Sequence, residues 1–149
     1  MTLTEFAVSY RTRNCPHDPK LMHRVLVTDV STSTLVWSEK EFLVELYLMH
    51  PNTHVNPHSH PFENIILFMG GSLSGKREGS EEYKLIDIPT AIGQPLAANL
   101  CHEFTVGLHG AVFYNISKWE ASEQKDSAIL KYSGVSLGPI HENLLKTYE

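Results

Sequence analysis

The chain alternates between short runs of β-branched and aromatic residues and frequent turn signals. Pro, Gly and Asn mark the turns, for example at Pro51-Asn52 and at Gly70-Gly71. Between the turns we predict strands in five runs: residues 25–30, 41–49, 65–69, 83–88 and 111–116. Many short strands joined by turns are typical of a sandwich or a barrel, so the sequence predicts an all-β fold.

The length of 149 residues suits one domain with a single hydrophobic core. We place that core at about residues 23–117, with an N-terminal arm and a C-terminal extension packed on it. In the extension, residues 122–132 and 138–148 are candidate helices, and Pro139 stands where a helix start favours proline. The prediction is one all-β domain with a short C-terminal helical segment.

Charge and apolar patterning exclude several classes of function. The formal net charge is −5, whereas a protein that binds nucleic acid through phosphate contacts is usually basic, so we expect no nucleic-acid partner. No apolar run has the length of a signal-peptide core or of a transmembrane helix, so we expect no membrane partner and a cytoplasmic location. Cys15 and Cys101 do not have metal-ligand spacing, and we interpret them as free thiols in a reducing compartment.

Two histidines in a Pro-rich, strand-like segment point to a metal site. Histidine is the one clear compositional excess, with nine residues, and His58-Ser59-His60 lies in this segment. Because alternate side chains of an extended strand share a face, we expect His58 and His60 to project together. Imidazole is a ligand for zinc, iron, nickel and copper, so the pair is half of a transition-metal site that neighbouring strands would complete.

The spacing around these histidines resembles the first motif of the cupin superfamily. That motif runs Gly, five residues, His-x-His, three or four residues, Glu, six residues, Gly. Every spacing fits in this chain, where the corresponding positions are Asn52, His58, His60, Asn64 and Gly71. Asn52 replaces a glycine, and Asn tolerates the left-handed backbone conformation that a turn needs there. Asn64 replaces the usual carboxylate, which is the larger change because it removes a charge.

A second and weaker match lies in residues 97–102, which resemble the second cupin motif, a Pro-x-Gly-x-x-His run. His102 is present, whereas Ala97 and Asn99 stand in place of the proline and the glycine. The resemblance covers about residues 41–117 and implies a double-stranded β-helix, a small jelly roll with its site inside the barrel. It also implies a metal held by four residues: His58, His60, Asn64 and His102.

The implied ligands leave the charge of a divalent metal largely uncompensated, which favours a bound anion or water. We expect one divalent transition metal (iron, zinc, nickel or manganese) with open coordination positions, as in catalytic sites. Lewis-acid chemistry also needs a general base, and the sequence does not choose among Glu63, His54 and Glu103. Glu63 is also the alternative to Asn64 as a ligand, if a β-bulge reverses its orientation in the strand.

The favoured function is a mononuclear metal-dependent cupin enzyme that acts on a small polar molecule. Isomerase or lyase chemistry at a Lewis acid and dioxygen chemistry at ferrous iron both suit a neutral ligand set. The alternative is a non-catalytic cupin that binds or sequesters a small ligand, whether anionic or neutral, since the usual carboxylate is missing. We also expect a homodimer, because jelly rolls commonly pair their sheets and symmetric dimers are the commonest oligomers.

Overall fold

The computed structural model describes residues 1–16, 25–27, 31–39, 41–59, 62–79, 83–86 and 91–118. These ranges contain one helix and eight strands. In chain order the elements are α1 (Leu3–Thr12), β1 (Val25–Val27), β2 (Ser31–Glu39), β3 (Phe42–Met49), β4 (His54–His58), β5 (Glu63–Arg77), β6 (Tyr83–Ile86), β7 (Ala91–Ile92) and β8 (His102–Lys118). All five predicted runs overlap strands, while residues 28–30 and 87–88 of two of the runs lie outside the described ranges. The prediction of an all-β fold is confirmed.

Every strand pairing is antiparallel, and the order across the sheet is β1-β2-β3-β8-β5-β6, with β4 on β8 and β7 on β5. The long strands β5 and β8 pair with each other along their whole length. The second half of β8 pairs with β3, whereas the first half pairs with β4. β5 and β8 therefore run through both halves of the sheet and connect them.

The pairing of the two long strands is irregular near Gly71 and Gly110. Gly71 in β5 and Gly110 in β8 have φ values of 85° and 73°, in the left-handed region that favours glycine. A Cβ atom on Gly71 would overlap the carbonyl oxygen of Gly110 and would lie 2.8 Å from the Cα atom of Ala111. Register shifts in the β5–β8 pairing fall at the same place, so this irregular pairing depends on glycine at position 71.

Helix α1 covers one face of the sheet and was not predicted from the sequence, where it was treated as an arm. Its buried residues follow the spacing of a single apolar stripe, and the Thr2 hydroxyl caps it by accepting a hydrogen bond from the Glu5 amide at 3.1 Å. The Phe6 ring stacks on Phe42 of β3 with ring centroids 4.1 Å apart. The helix packs on a buried cluster that includes Val44, Ile65, Leu67 and Ile116.

The opposite face of the sheet forms the interior of the sandwich. Side chains of directly paired residues share a face, so alternate positions of β3, β5 and β8 point inward together. Most of them are apolar and form a second buried cluster: Tyr47, Met49, Ile66, Phe68, Leu73, Val106, Ala111 and Phe113. This apolar interior extends to the residues of the candidate site.

Several sequence predictions fall on residues outside the described ranges. These are the two C-terminal helix candidates, residues 122–132 and 138–148, and the candidate ligand His60. Within the described part of the chain, no helix is long and apolar enough to cross a membrane.

Candidate metal centre

His58 and His102 lie side by side on the inward face of the sandwich. They are direct partners in the pairing of β4 with β8, and their ring centroids are 4.4 Å apart at an interplanar angle of 59°. His102 alternates along β8 with Phe104 and Val106, which pack with the interior cluster. The pairing therefore brings together one predicted ligand from each of the two motifs.

The hydrogen bonds of both imidazoles determine which ring nitrogen carries the proton. Nδ1 of His58 lies 2.7 Å from the main-chain oxygen of Asn56, and Nδ1 of His102 lies 2.9 Å from that of Leu100. A carbonyl oxygen only accepts hydrogen bonds, so each Nδ1 carries the proton and donates it. In the neutral ring Nε2 is then the unprotonated nitrogen, which is the form that ligates metals.

Burial helps to keep one of these rings neutral. His102 is 7% exposed, and this desolvation lowers its pKa below the ordinary value for histidine. The hydrogen bond to Leu100 opposes the shift, and the nearby His58 reinforces it. A metal must compete with protons for a histidine nitrogen, so a lowered pKa extends the pH range in which His102 can ligate.

The local backbone explains how His58 comes to face inward. The β4–β8 register shifts between Val55 and His58, and this irregularity puts both side chains on the same face. Asn52 and Asn99, which replace the two motif glycines, have φ values of 58° and 62°. The left-handed conformation expected at Asn52 is confirmed, and Asn99 meets the same requirement before β8.

Asn64 lies on the inward face near the start of β5 and is 5% exposed. Its Nδ2 donates to Oδ1 of Asn115 at 2.8 Å, whereas its Oδ1 is buried and has no hydrogen-bond partner. Main-chain hydrogen bonds of 3.1 and 2.8 Å tie Asn64 to Leu96, in the segment that leads to His102. A buried acceptor without a partner is costly, so Oδ1 fits a position that a cation or a donor group would occupy.

The structure thus pairs two of the four predicted ligands, places Asn64 on the same face of the sheet, and does not describe His60. Among the described residues, no group of three or more His, Cys, Asp or Glu side chains could by itself hold a metal ion. The predicted set depends on the amide of Asn64 and on His60 for its completion.

The predicted bases His54 and Glu63 lie on the outward face of the sheet. Nδ1 of His54 is 2.8 Å from the hydroxyl of Thr105, and its Nε2 is 3.3 Å from a carboxylate oxygen of Glu103. Glu63 is exposed and pairs in register with Lys118, on the side opposite to the inward-facing Asn64. Their catalytic role stays a prediction, and the function proposed below does not use them.

An inward-facing carboxylate was missed by the sequence reasoning. Glu45 of β3 is 1% exposed and is the direct register partner of Asn115, which bonds to Asn64. The available signal was its place as the one charged residue in the apolar run of β3. Its register position puts a carboxylate on the same inward face of the sheet as Asn64.

A cavity of about 680 Å³ opens beside His102. It lies between the end of β4, the end of β5 and the start of β8. The residues that line it include both cations and carboxylates: Pro57, Lys76, Arg77, Glu78, Gly79, Cys101, His102 and Glu103. A small molecule has room to approach the histidine pair from this side.

Comparisons with known proteins identify the fold. No family model matches the sequence, and no curated protein matches it. A cupin superfamily protein from Desulfitobacterium hafniense DCB-2 is 12% identical at a TM-score of 0.51, over 64% of this chain and 83% of that chain. The DMSP lyase DddQ from Ruegeria pomeroyi DSS-3 is 12% identical at a TM-score of 0.57, over 68% of this chain and 58% of that chain.

A further similar structure is oxalate decarboxylase from Bacillus subtilis, a protein with Mn(II) centres. It is 13% identical at a TM-score of 0.53, over 68% of this chain and 28% of that chain. Likeness at such low identity shows the fold. The double-stranded β-helix expected from the two motifs is confirmed.

Proposed function

Because the chain has the cupin fold, we propose that it is a metal-dependent enzyme that acts on a small polar molecule. The observation that carries this proposal is the pair His58 and His102, whose Nδ1 atoms both donate to main-chain carbonyls. Two adjacent imidazoles of the same tautomer, each with its proton on Nδ1, on the inward face of a barrel, are suited to ligation through Nε2. A structural role in packing would not require both rings to have the same tautomer.

The residues present fit a divalent metal. His58 and His102 would supply two nitrogens, His60 a third, and Oδ1 of Asn64 is an orphaned buried acceptor of the kind that a cation satisfies. Iron, zinc, nickel and manganese all remain candidates for this set. When bound, the metal would supply Lewis-acid polarisation of a substrate oxygen, or dioxygen chemistry if it is iron.

The chain's own residues would orient the ligands, exclude water and transfer a proton. The main-chain oxygens of Asn56 and Leu100 orient the two imidazoles, and the apolar interior cluster excludes water from the inner side of the site. Glu45 is the inward-facing carboxylate that we propose for proton transfer, because it is buried next to Asn115 and hence near Asn64. The homodimer and the cytoplasmic location predicted from the sequence stay predictions.

Metal content tests this proposal directly. Protein purified without an affinity tag or chelator should contain about one iron, zinc, nickel or manganese per chain, because one mononuclear site is proposed. Inductively coupled plasma mass spectrometry measures this content. A protein that contains no metal, and takes up none of these four on reconstitution, would leave the non-catalytic ligand-binding cupin as the better function.

The role of Asn64 has its own test. We expect Asn64→Asp to bind Zn²⁺ about tenfold more tightly than the wild type, because a carboxylate adds a full charge next to the cation. Asn64→Ala should bind more weakly than the wild type, although less weakly than a histidine variant. Isothermal titration with Zn²⁺ measures all three affinities.

The matched control for the added charge is Asn56→Asp, at an exposed position on the strand of His58. It should change Zn²⁺ affinity much less than Asn64→Asp does. Equal gains in the two variants would mean that the charge acts at long range and that Oδ1 of Asn64 does not contact the metal.

A further inference from the structure

Arg77 lies in register with the two histidines across neighbouring strands. It is the direct register partner of His102 in the pairing of β5 with β8, and His58 is the partner of His102 on the other side of β8. The three side chains therefore form one row across three neighbouring strands. Directly paired residues have Cβ atoms about 5 Å apart, so a guanidinium and two imidazoles begin from adjacent positions on one face.

The alternation of side chains along β5 puts Arg77 on the inward face of the sheet. Leu73, two alternations earlier on the same strand, is 1% exposed and belongs to the interior cluster. Arg77 is half-buried and lines the cavity of about 680 Å³ next to His102. This volume lies in the usual range of small-molecule sites, roughly 300–1,000 Å³.

The other charged residues described along the cavity are placed differently. Lys76 and Glu103 are register partners on the outward face, and Glu103 lies 3.3 Å from His54 there. Glu78 is exposed and comes after the end of β5. Arg77 is thus the charged side chain that shares the row of the histidine pair.

We infer that the substrate is a small anion and that Arg77 binds its carboxylate or phosphate group beside His58 and His102. The planar guanidinium presents paired N–H donors that match both kinds of oxyanion. The neighbouring imidazoles are neutral or cationic and the predicted ligand Asn64 is neutral, so none of these three groups repels a negative substrate. This inference rests on the proposed function for the chemistry performed on the anion, whereas binding of the anion can be tested without metal.

The test is calorimetric titration of the metal-free protein with malonate, with methyl phosphate and with the neutral analogue malonamide. We expect binding of at least one anion and none of malonamide, and the tighter anion identifies the substrate class. Arg77→Gln should weaken anion binding by about tenfold or more, because a charge-assisted bidentate contact is lost. Arg77→Lys keeps the charge but not the paired donors, so its affinity for the anion should lie between those of the wild type and Arg77→Gln.

The matched control is Arg11→Gln, which removes an exposed guanidinium from helix α1, away from the residues that line the cavity, and should change the affinity by less than about twofold. The inference is overturned if neither anion binds, if malonamide binds as well as malonate, or if Arg11→Gln weakens binding as much as Arg77→Gln. Should Arg77→Gln fail to fold, Arg77→Lys decides, and wild-type affinity in that variant overturns the inference.

Zn²⁺ titration of the same proteins separates this inference from the proposed function. Arg77→Gln should bind Zn²⁺ as the wild type does, since Arg77 is not a proposed ligand. Anion binding that depends on Arg77, in a protein that takes up no metal, would contradict the proposed metal-dependent function and support the anion site. Normal metal uptake without Arg77-dependent anion binding would support the proposed function and overturn the anion site.

Discussion

We expect His102→Ala to weaken Zn²⁺ binding by more than about 100-fold, because groups that merely orient a ligand already contribute 10–100-fold. The variant would lose one of the two imidazoles whose Nδ1 atoms donate hydrogen bonds to the main chain. His58→Ala should have an effect of the same size. Competition with a chromophoric chelator measures affinities over this range.

The control for this experiment is His54→Ala, which removes an imidazole from the outward face of the same strand pair. Its Zn²⁺ affinity should equal that of the wild type. Wild-type affinity in both His58→Ala and His102→Ala would show that the site assignment is wrong. Thermal melting should find all three variants folded, since the rings lie at the end of the sandwich and not in its apolar clusters.

We expect Gly71→Ala to destabilise the protein by about 3 kcal/mol or more, the range of substitutions that combine backbone strain with steric overlap. The φ of 85° disfavours any residue with a Cβ atom, and that atom would overlap the carbonyl oxygen of Gly110. Because the position of a Cβ atom is fixed by its own backbone and the atom it overlaps is a backbone oxygen, rotation of a side chain cannot relieve the overlap. Urea denaturation followed by circular dichroism measures the free energy of unfolding.

The adjacent glycine provides a matched control. A Cβ atom on Gly70 would have no neighbour within 4 Å, and its φ is not positive. Gly70→Ala should therefore change the free energy of unfolding by less than about 1 kcal/mol. Similar losses in the two variants would mean that the irregular pairing of β5 and β8 does not depend on the close contact at Gly71.

Much of the fold followed from local patterns. The turn signals and the β-rich runs predicted strands where β1, β3, β5, β6 and β8 lie. Helix α1 was not predicted, because a ten-residue helix is only marginally stable alone. It is stabilised by packing its apolar stripe on the sheet. Its stripe was visible in the spacing of Leu3, Phe6 and Tyr10, but the face that covers it was not.

The sequence by itself determined the features that depend on neighbouring residues. Strand alternation singled out His58 and His60 as candidate ligands, the resemblance to the second motif added His102, and the tolerance of Asn for a left-handed backbone predicted the turn at Asn52. Only the tertiary structure decided which distant residues share a face. Cross-strand register placed Arg77 in the row of the histidines, Glu45 inside and His54 outside. A bulge or a shift by one residue exchanges the two faces of a strand, and such shifts arise from packing between strands far apart in sequence.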